Sequence, residues 1–159
     1  IFNQVVKNSK VNGFDEAEVK RLVDEEYKGF KETASSYEQY GYGYEDVLKA
    51  NGYENEDDLM KGITEYIKNY LTQKMILYMI ADKEGITVTG EEVEAKVQEY
   101  MTMYGAKTEE EVYEYFGDDY IELSLMSEKV MKFLKENAVV VDSVEETTEA
   151  AEEASTQAE

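Results

Sequence analysis

The chain has 159 residues without Pro, Cys, His or Trp, and its 37 acidic and 16 basic residues give a formal net charge of −21. The lack of Cys and His excludes disulfides, thiol or imidazole catalysis, and zinc sites of the usual types. A negative field of this size repels nucleic acid and anionic membranes, and the longest apolar run is too short to span a bilayer. We therefore expect neither nucleic acid nor a membrane as a partner.

The N-terminal part of the chain is predicted to be helical. Residues 1–10 read as the last turns of a helix, and Asp15 is a typical N-cap for a longer helix that runs to about residue 40. Glu18 stands three residues after Asp15, at the position that completes a capping box. Apolar residues recur along this helix at three- and four-residue spacing, which predicts one buried face. They are Val19, Leu22, Val23, Tyr27, Phe30, Ala34 and Tyr37.

Glycines interrupt the pattern after residue 40. The segment Gly41-Tyr42-Gly43 begins like a dinucleotide-binding fingerprint, but its third glycine is missing and no strand precedes it. We therefore do not assign a nucleotide site to it. A short helix is predicted over residues 45–50, and Asn51-Gly52 closes it as a turn.

The longest predicted helix covers residues 56–84, and the other helices are expected to pack along it or leave from its ends. Asn55 is its N-cap, an acidic first turn follows, and Gly85 is a typical C-cap. At 1.5 Å per residue this helix is about 43 Å long, at least twice the usual length. Residues 75–81, MILYMIA, are apolar all round. This predicts that other helices cover that half on several sides, so that it belongs to the core and not to a binding surface.

Three further helices are predicted after residue 89, each with a capping residue before its first turn. They end near Gly105, Gly117 and Asn137. The capping residues are Thr89 with Glu92, Thr108 with Glu111, and Asp118 or Asp119.

The fold class that follows is all-α: an elongated multi-helix body with helical arms around the long central helix at about 56–84. Residues 139–141 are predicted to form a short extended strip. From residue 142 onward the chain has no basic residue and no large apolar residue after Val144. This composition predicts a disordered acidic tail over residues 142–159, after a helical domain over residues 1–141.

The acidic clusters do not carry a recognisable chemistry. Residues 54–58 and 118–119 do not satisfy any register of the EF-hand loop, which needs alternating ligands, a central Gly and a closing Glu. Acidic residues at helix N-termini are favoured by the helix dipole, which explains both clusters. With 37 acidic residues, chance carboxylate pairs are too common to indicate acid–base catalysis. We predict no catalytic residue, no metal site and no cofactor.

Tyr and Met carry the functional hypothesis, with 14 and 7 residues in the chain. Both types suit adaptable binding surfaces, because Tyr joins an apolar ring to a polar tip and Met is flexible. On the main apolar stripes we expect core packing for Tyr27, Phe30, Tyr66, Tyr70 and Tyr78. For Tyr40, Tyr42, Tyr44, Met101 and Met103, off or beyond the stripes, the alternatives of core and exposed binding surface stay open. The candidate binding residues are Tyr37, Tyr40, Tyr42 and Tyr44 in one group, and Tyr100, Met101, Met103 and Tyr104 in the other.

Several segments resemble the C-terminal domain of bacterial trigger factor, in the same order along the chain. Residues 81–93, ADKEGITVTGEEV, are similar to the junction between the long helix of that domain and its next helical arm. The chain differs at residues 11–14, VNGF, where the family usually has a Pro. The other similar segments are residues 5–11, 44–58, 104–106, 109–112 and 129–140, so that the resemblance covers roughly residues 1–141.

The resemblance implies a cytoplasmic, ribosome-associated chaperone of which this chain is the C-terminal piece. In that family the ribosome-binding domain and the prolyl isomerase domain lie upstream, so the resemblance assigns neither activity to residues of this chain. It implies ATP-independent holding of unfolded or nascent polypeptides in a partly apolar cradle between helical arms. A weak homodimer is left open.

Two alternatives remain at this point. One is a helical scaffold or dimerisation module whose apolar stripes meet one fixed partner. The other is the helical domain of an extracytoplasmic foldase, which shares this architecture.

Overall fold

The computed structural model describes residues 1–139, and these residues form seven α-helices and no strand. The all-α prediction is therefore confirmed. The predicted acidic tail and residues 140–141 of the extended strip lie outside the described residues. The helices are α1 (Phe2–Asn8), α2 (Glu16–Tyr37), α3 (Tyr44–Ala50), α4 (Glu56–Glu84), α5 (Gly90–Tyr104), α6 (Glu109–Phe116) and α7 (Asp118–Asn137), with a 3-10 turn at Glu38–Tyr40.

The long helix α4 begins and ends where its sequence predicts. The Asn55 side chain accepts a hydrogen bond from the Asp58 backbone N–H at 3.0 Å. At the other end Gly85 adopts the left-handed conformation with φ 66°, and the Ile86 N–H donates to the Ala81 carbonyl at 2.8 Å. These local hydrogen bonds satisfy backbone groups that the helix itself cannot pair, so they set its limits.

The apolar core is divided into three clusters. In the first, α2 and α3 pack on the N-terminal half of α4, and in the second, α7 packs on its C-terminal half. The third lies where α5, α6 and α7 meet. Since α7 belongs to the second and third clusters, it joins the α5–α6 arm to α4. The buried residues are Val23, Leu48, Leu59, Ile63 and Ile67 in the first cluster, Leu77, Ala81, Met126 and Val130 in the second, and Val97, Tyr100, Val112 and Ile121 in the third.

The prediction that the MILYMIA segment is covered on several sides is wrong for one face. Ile76 and Leu77 are buried, but Met75 and Met79 are 47% and 58% exposed. The reason is that α7 covers one side of this half of α4 and leaves the Met75–Met79 side open. Tyr66, expected in the core, is also exposed, because α2 packs on the neighbouring face of α4.

The capping predictions for α2 and α7 are corrected. Asp15 caps α2 as expected and accepts from the Ala17 N–H at 2.9 Å, but the Glu18 carboxylate binds the Arg21 guanidinium instead of completing a capping box. At the last helix, residues 118–119 lie inside α7, and Gly117 occupies the N-cap position without a side-chain cap. Gly117 also ends α6, which leaves no place for a separate capping residue.

The corner between α4 and α5 combines a confirmed capping box with a contact from α7. The Glu92 carboxylate accepts from the Thr89 N–H at 2.8 Å, and the Thr89 hydroxyl accepts from the Glu92 N–H at 3.3 Å. The Lys129 ammonium lies 2.6 Å from the same carboxylate. Its hydrogen bond lowers the pKa of Glu92 below the ordinary 4.5, and the Thr89 N–H adds to that effect.

Acid is therefore expected to weaken this corner. A carboxyl group whose pKa is lowered by folding stabilises the folded state above its unfolded pKa, and that contribution disappears as the pH falls through the lower folded value. The loss should begin below about pH 4.5. Lower pH also reduces the repulsion among all the carboxylates, which affects the unmodified protein and the Glu92→Gln variant alike. The measurement is therefore the difference in urea midpoint between these two proteins. We expect that difference to be larger at neutral pH than in acid, and an equal difference at both would contradict the prediction.

Two helical glycines should respond oppositely to the same substitution. A Cβ at Gly29 in α2 meets nothing within 4 Å, whereas a Cβ at Gly62 in α4 lies 2.8 Å from Tyr53 Cε1. Gly29→Ala should stabilise the fold by up to about 1 kcal/mol, the usual difference in helix propensity. Gly62→Ala should cost about 1–3 kcal/mol of overpacking, which exceeds that gain, because Tyr53 is held in the first cluster. Urea unfolding followed by circular dichroism measures both, and a stabilising Gly62→Ala would show that Tyr53 is free to move.

Candidate functional site

Three tyrosines of the first candidate group lie exposed at the end of α2. Tyr37 closes the helix, Tyr40 ends the 3-10 turn, and Tyr42 follows Gly41, which has φ 84° and turns the chain. The Tyr37 and Tyr40 ring centroids are 6.5 Å apart. The structure therefore brings these side chains to one end of α2, as the sequence predicts.

Tyr44 differs from the rest of its group. It is half-buried and packs against the first core cluster, with its ring edge-on to Phe30 at a centroid distance of 6.1 Å. Its position at the start of α3 turns it inward, whereas Tyr42, two residues earlier, stays outside. The sequence left open whether Tyr44 lies in the core or on an exposed surface, and the structure places it against the core.

A groove of about 500 Å³ lies between α2 and α3. Phe30, Tyr37 and Val47 line its apolar part, together with Tyr42 from the connecting turn. Small residues on both helices, such as Gly29, leave the space open. Its volume falls within the range of pockets that bind small ligands.

The second candidate group divides between core and surface. Tyr100 is buried in the third cluster, and Met101 is half-buried against it. Met103 and Tyr104 are exposed at the end of α5, where Gly105 stops the helix with φ 72°. Only the last two are available to a ligand in this structure.

Sequence reasoning missed the residues that complete this surface. We call Tyr104, Tyr115, Phe116 and Tyr120 the aromatic patch. Phe116 is at its centre, with ring centroids 5.1 Å from Tyr104, 4.8 Å from Tyr115 and 5.3 Å from Tyr120. The buried Tyr100 ring lies beneath it, 4.8 Å from Phe116. The signal in the sequence was the aromatic run in YEYFGDDY, residues 113–120.

The shortness of α6 explains why its aromatic residues are exposed. The helix has eight residues and buries only Val112 fully, so Tyr115 points away from the core. The Thr108 hydroxyl caps it by accepting from the Glu111 N–H at 3.2 Å. The Glu111 carboxylate accepts from the Lys107 N–H, so the second half of the predicted capping box is not formed.

Hydrogen bonding and burial shift the pKa values of two tyrosines. The pKa of Tyr27 is raised because its hydroxyl donates a hydrogen bond to the Glu56 carboxylate. Burial raises the pKa of Tyr78. Within residues 1–139, no group of three or more side chains of the metal-ligating types is placed so that it could hold a metal ion. No helix in that range is long and apolar enough to cross a membrane. The described surface offers apolar rings and grooves for binding.

The chain matches a known protein family. The family described as bacterial trigger factor protein (TF) C-terminus matches residues 4–136, which include nearly all of the helical part. No curated protein and no solved structure matches the chain. This family is the chaperone-type C-terminal region of trigger factor, separate from its isomerase domain. The chain therefore belongs to the bacterial trigger factor C-terminal family.

Proposed function

We propose that this domain holds unfolded or nascent polypeptides without ATP, through weak contacts to the aromatic patch and to the groove between α2 and α3. The observation that carries the proposal is the aromatic patch itself. Tyr104, Tyr115 and Tyr120 are exposed, and each packs against the half-buried Phe116 at a centroid distance near 5 Å. Rings in this state offer preformed apolar area to a ligand at little entropic cost.

The energetics favour weak and sequence-tolerant binding. An aromatic contact contributes about 0.5–1.5 kcal/mol beyond the area it buries, while association costs several kcal/mol of lost freedom. A patch of four rings thus supports dissociation constants from about ten micromolar to about a millimolar. Such binding permits release without nucleotide hydrolysis, because a bound segment leaves quickly.

The charge pattern supports the same function. No charged side chain is buried among the described residues, so the charge is carried on the surface. With a net charge of −21, the exterior keeps the protein dispersed while apolar rings stay exposed.

The proposed setting follows from the family. The protein would work in the cytoplasm, with ribosome contact through a domain upstream of this chain and client holding by the helical domain over residues 1–141.

The test is aggregation of a chemically denatured client, followed by light scattering with and without the domain and without nucleotide. We expect suppression at tens of micromolar, in line with the affinity argued above. A peptide array should show binding to many unrelated apolar segments. Absence of both effects at that concentration would overturn the proposal.

Exposed methionines on α4 favour a second candidate, a scaffold or dimerisation module. Met75 and Met79 stand one helical turn apart on the uncovered side of the long helix, which suits a fixed helical partner. Sedimentation separates the candidates, because a tight dimer without affinity for unfolded peptides would favour the scaffold. The family match gives no support to the extracytoplasmic alternative.

A further inference from the structure

Ion pairs between helices are concentrated at one seam of the described structure. Most ion pairs among residues 1–139 join side chains three or four residues apart on the same helix, as is common on exposed helical faces. Two join different helices, and both connect α5 with α7. They are Lys96 with Glu128 at 3.1 Å, and Lys129 with Glu92 at 2.6 Å.

Lys129 ties the α4–α5 corner to α7. Its ammonium donates to the Thr87 carbonyl at 2.6 Å as well as to the Glu92 carboxylate. Thr87 lies in the connection after α4, and Glu92 lies in the first turn of α5. One side chain of α7 therefore holds both sides of the corner where the arm leaves the long helix.

Lys96 connects the same seam to the aromatic patch. Its side chain is only 13% exposed, and its ammonium lies 3.1 Å from both Glu99 and Glu128. It also lies 5.5 Å from the centroid of the Tyr100 ring, on which Phe116 packs. Lys96 thus makes a cation–π contact with the ring on which the centre of the patch packs.

Apolar contacts and ion pairs both join α5 to α7 along this seam. The buried residues Val97 and Tyr100 of α5 pack with Ile121 near the start of α7. The ion pairs use Glu92 and Lys96, in the first half of α5, and Glu128 and Lys129, past the middle of α7. The third cluster therefore holds α5 against the start of α7, and the ion pairs join the two helices further along α7.

We propose that Lys96 and Lys129 are positioning residues that set the angle at which the α5–α6 arm leaves α4 and α7, and so orient the aromatic patch. Without these cations, carboxylates of α5 and α7 would repel across the seam in a strongly acidic protein. Ile86 and Val88 also pack against the second cluster, so we expect a looser arm and not an unfolded one. The consequence for polypeptide binding rests on the proposed function, but the change in arm angle does not.

The arm angle can be measured directly, because the natural chain has no Cys to interfere with labelling. Spin labels at Lys61→Cys on α4 and Glu114→Cys on α6, both exposed, report the distance between the long helix and the arm. The test variant is Lys96→Met with Lys129→Met, and the rescue variant is Lys96→Arg with Lys129→Arg. The matched control is Lys49→Met with Lys132→Met, which removes two lysines whose ion pairs stay within one helix.

We expect the methionine variant to broaden or shift the distance distribution, and the arginine and control variants to keep that of the unmodified protein. We also expect the unmodified distribution to broaden between about 0.02 M and about 0.5 M salt, because these pairs are partly exposed to screening. If the methionine variant does not fold by circular dichroism, the salt series on the unmodified protein decides. If the methionine variant folds and has the same distance distribution as the unmodified protein, the proposal is overturned. If that variant does not fold, a distribution of the unmodified protein that is the same at all salt concentrations overturns it.

Binding of an unfolded client gives the second readout. We expect the methionine variant to bind about two- to tenfold more weakly, the range for loss of exposed to partly buried ion pairs. The control variant, which loses the same charge, should bind like the unmodified protein. A changed angle with no client binding by any variant would retain the positioning role and count against the proposed function. A methionine variant with an unchanged arm angle but weaker client binding would count against the positioning role and would support the proposed function.

Discussion

Tyr104→Ser with Tyr115→Ser is expected to weaken the binding of unfolded polypeptide by about ten- to a hundredfold, close to complete loss for a weak binder. Both rings are exposed, at 58% and 76%, and both pack on Phe116. Their removal takes away the outer half of the aromatic patch while the buried Tyr100 beneath it remains. Fluorescence anisotropy of a labelled denatured client measures the affinity, and light scattering measures holding.

The matched control for this variant is Tyr66→Ser. Tyr66 is 59% exposed, like Tyr104, but it lies on α4 outside the aromatic patch. Its loss removes the same kind of group from the surface without touching the patch, so binding should stay within about twofold. Equal losses in the two variants would show that general surface hydrophobicity, and not the patch, holds the client.

Ile121→Ala is expected to lower the free energy of unfolding of the third cluster by about 2–5 kcal/mol, the usual cost of emptying a buried aliphatic site. Ile121 is fully buried where α7 meets α5 and α6, with Val97 and Val112 as neighbours in the cluster. Urea unfolding measures the loss, and Val139→Ala, at an exposed position, is the control with an expected change near zero.

Hydrogen exchange should show where that loss is felt. Because the core is divided, Ile121→Ala should speed amide exchange in α5 and α6 more than in α2 and α3, which belong to the first cluster. A uniform increase along the chain would mean that the three clusters unfold as one cooperative unit. That outcome would contradict the description of α5–α6 as an arm with its own stability.

Helix limits could be predicted because their causes are local. Asn55 and Gly85 bound α4 through hydrogen bonds within four residues of each end, and Thr89 with Glu92 begins α5 in the same way. The prediction failed at α7, where Gly117 serves two helices at once and residues 118–119 fall inside the second. A capping rule treats each helix end separately and does not include the distance to the preceding helix.

The exposure of individual aromatic residues could not be predicted from periodicity. Tyr100 and Tyr104 stand one turn apart on the same side of α5, with rings 5.8 Å apart, yet one is buried and the other exposed. The difference arises because α6 and α7 cover α5 only as far as its last turn. Tyr42 is exposed and Tyr44 is half-buried for a similar reason, because α3 packs against α2 from Tyr44 onward.

The sequence by itself therefore determined the helical class, the long α4, most helix limits and the strongly negative charge. It also led to the prediction that Tyr and Met residues form the binding surface. Only the tertiary structure decided that Met75 and Met79 stay open, that Tyr44 and Tyr100 turn inward, and that Tyr115 and Tyr120 join Tyr104 in one patch. The physical reason is that a helix forms from hydrogen bonds among near neighbours, whereas its exposed face is whatever the helices packed against it fail to cover.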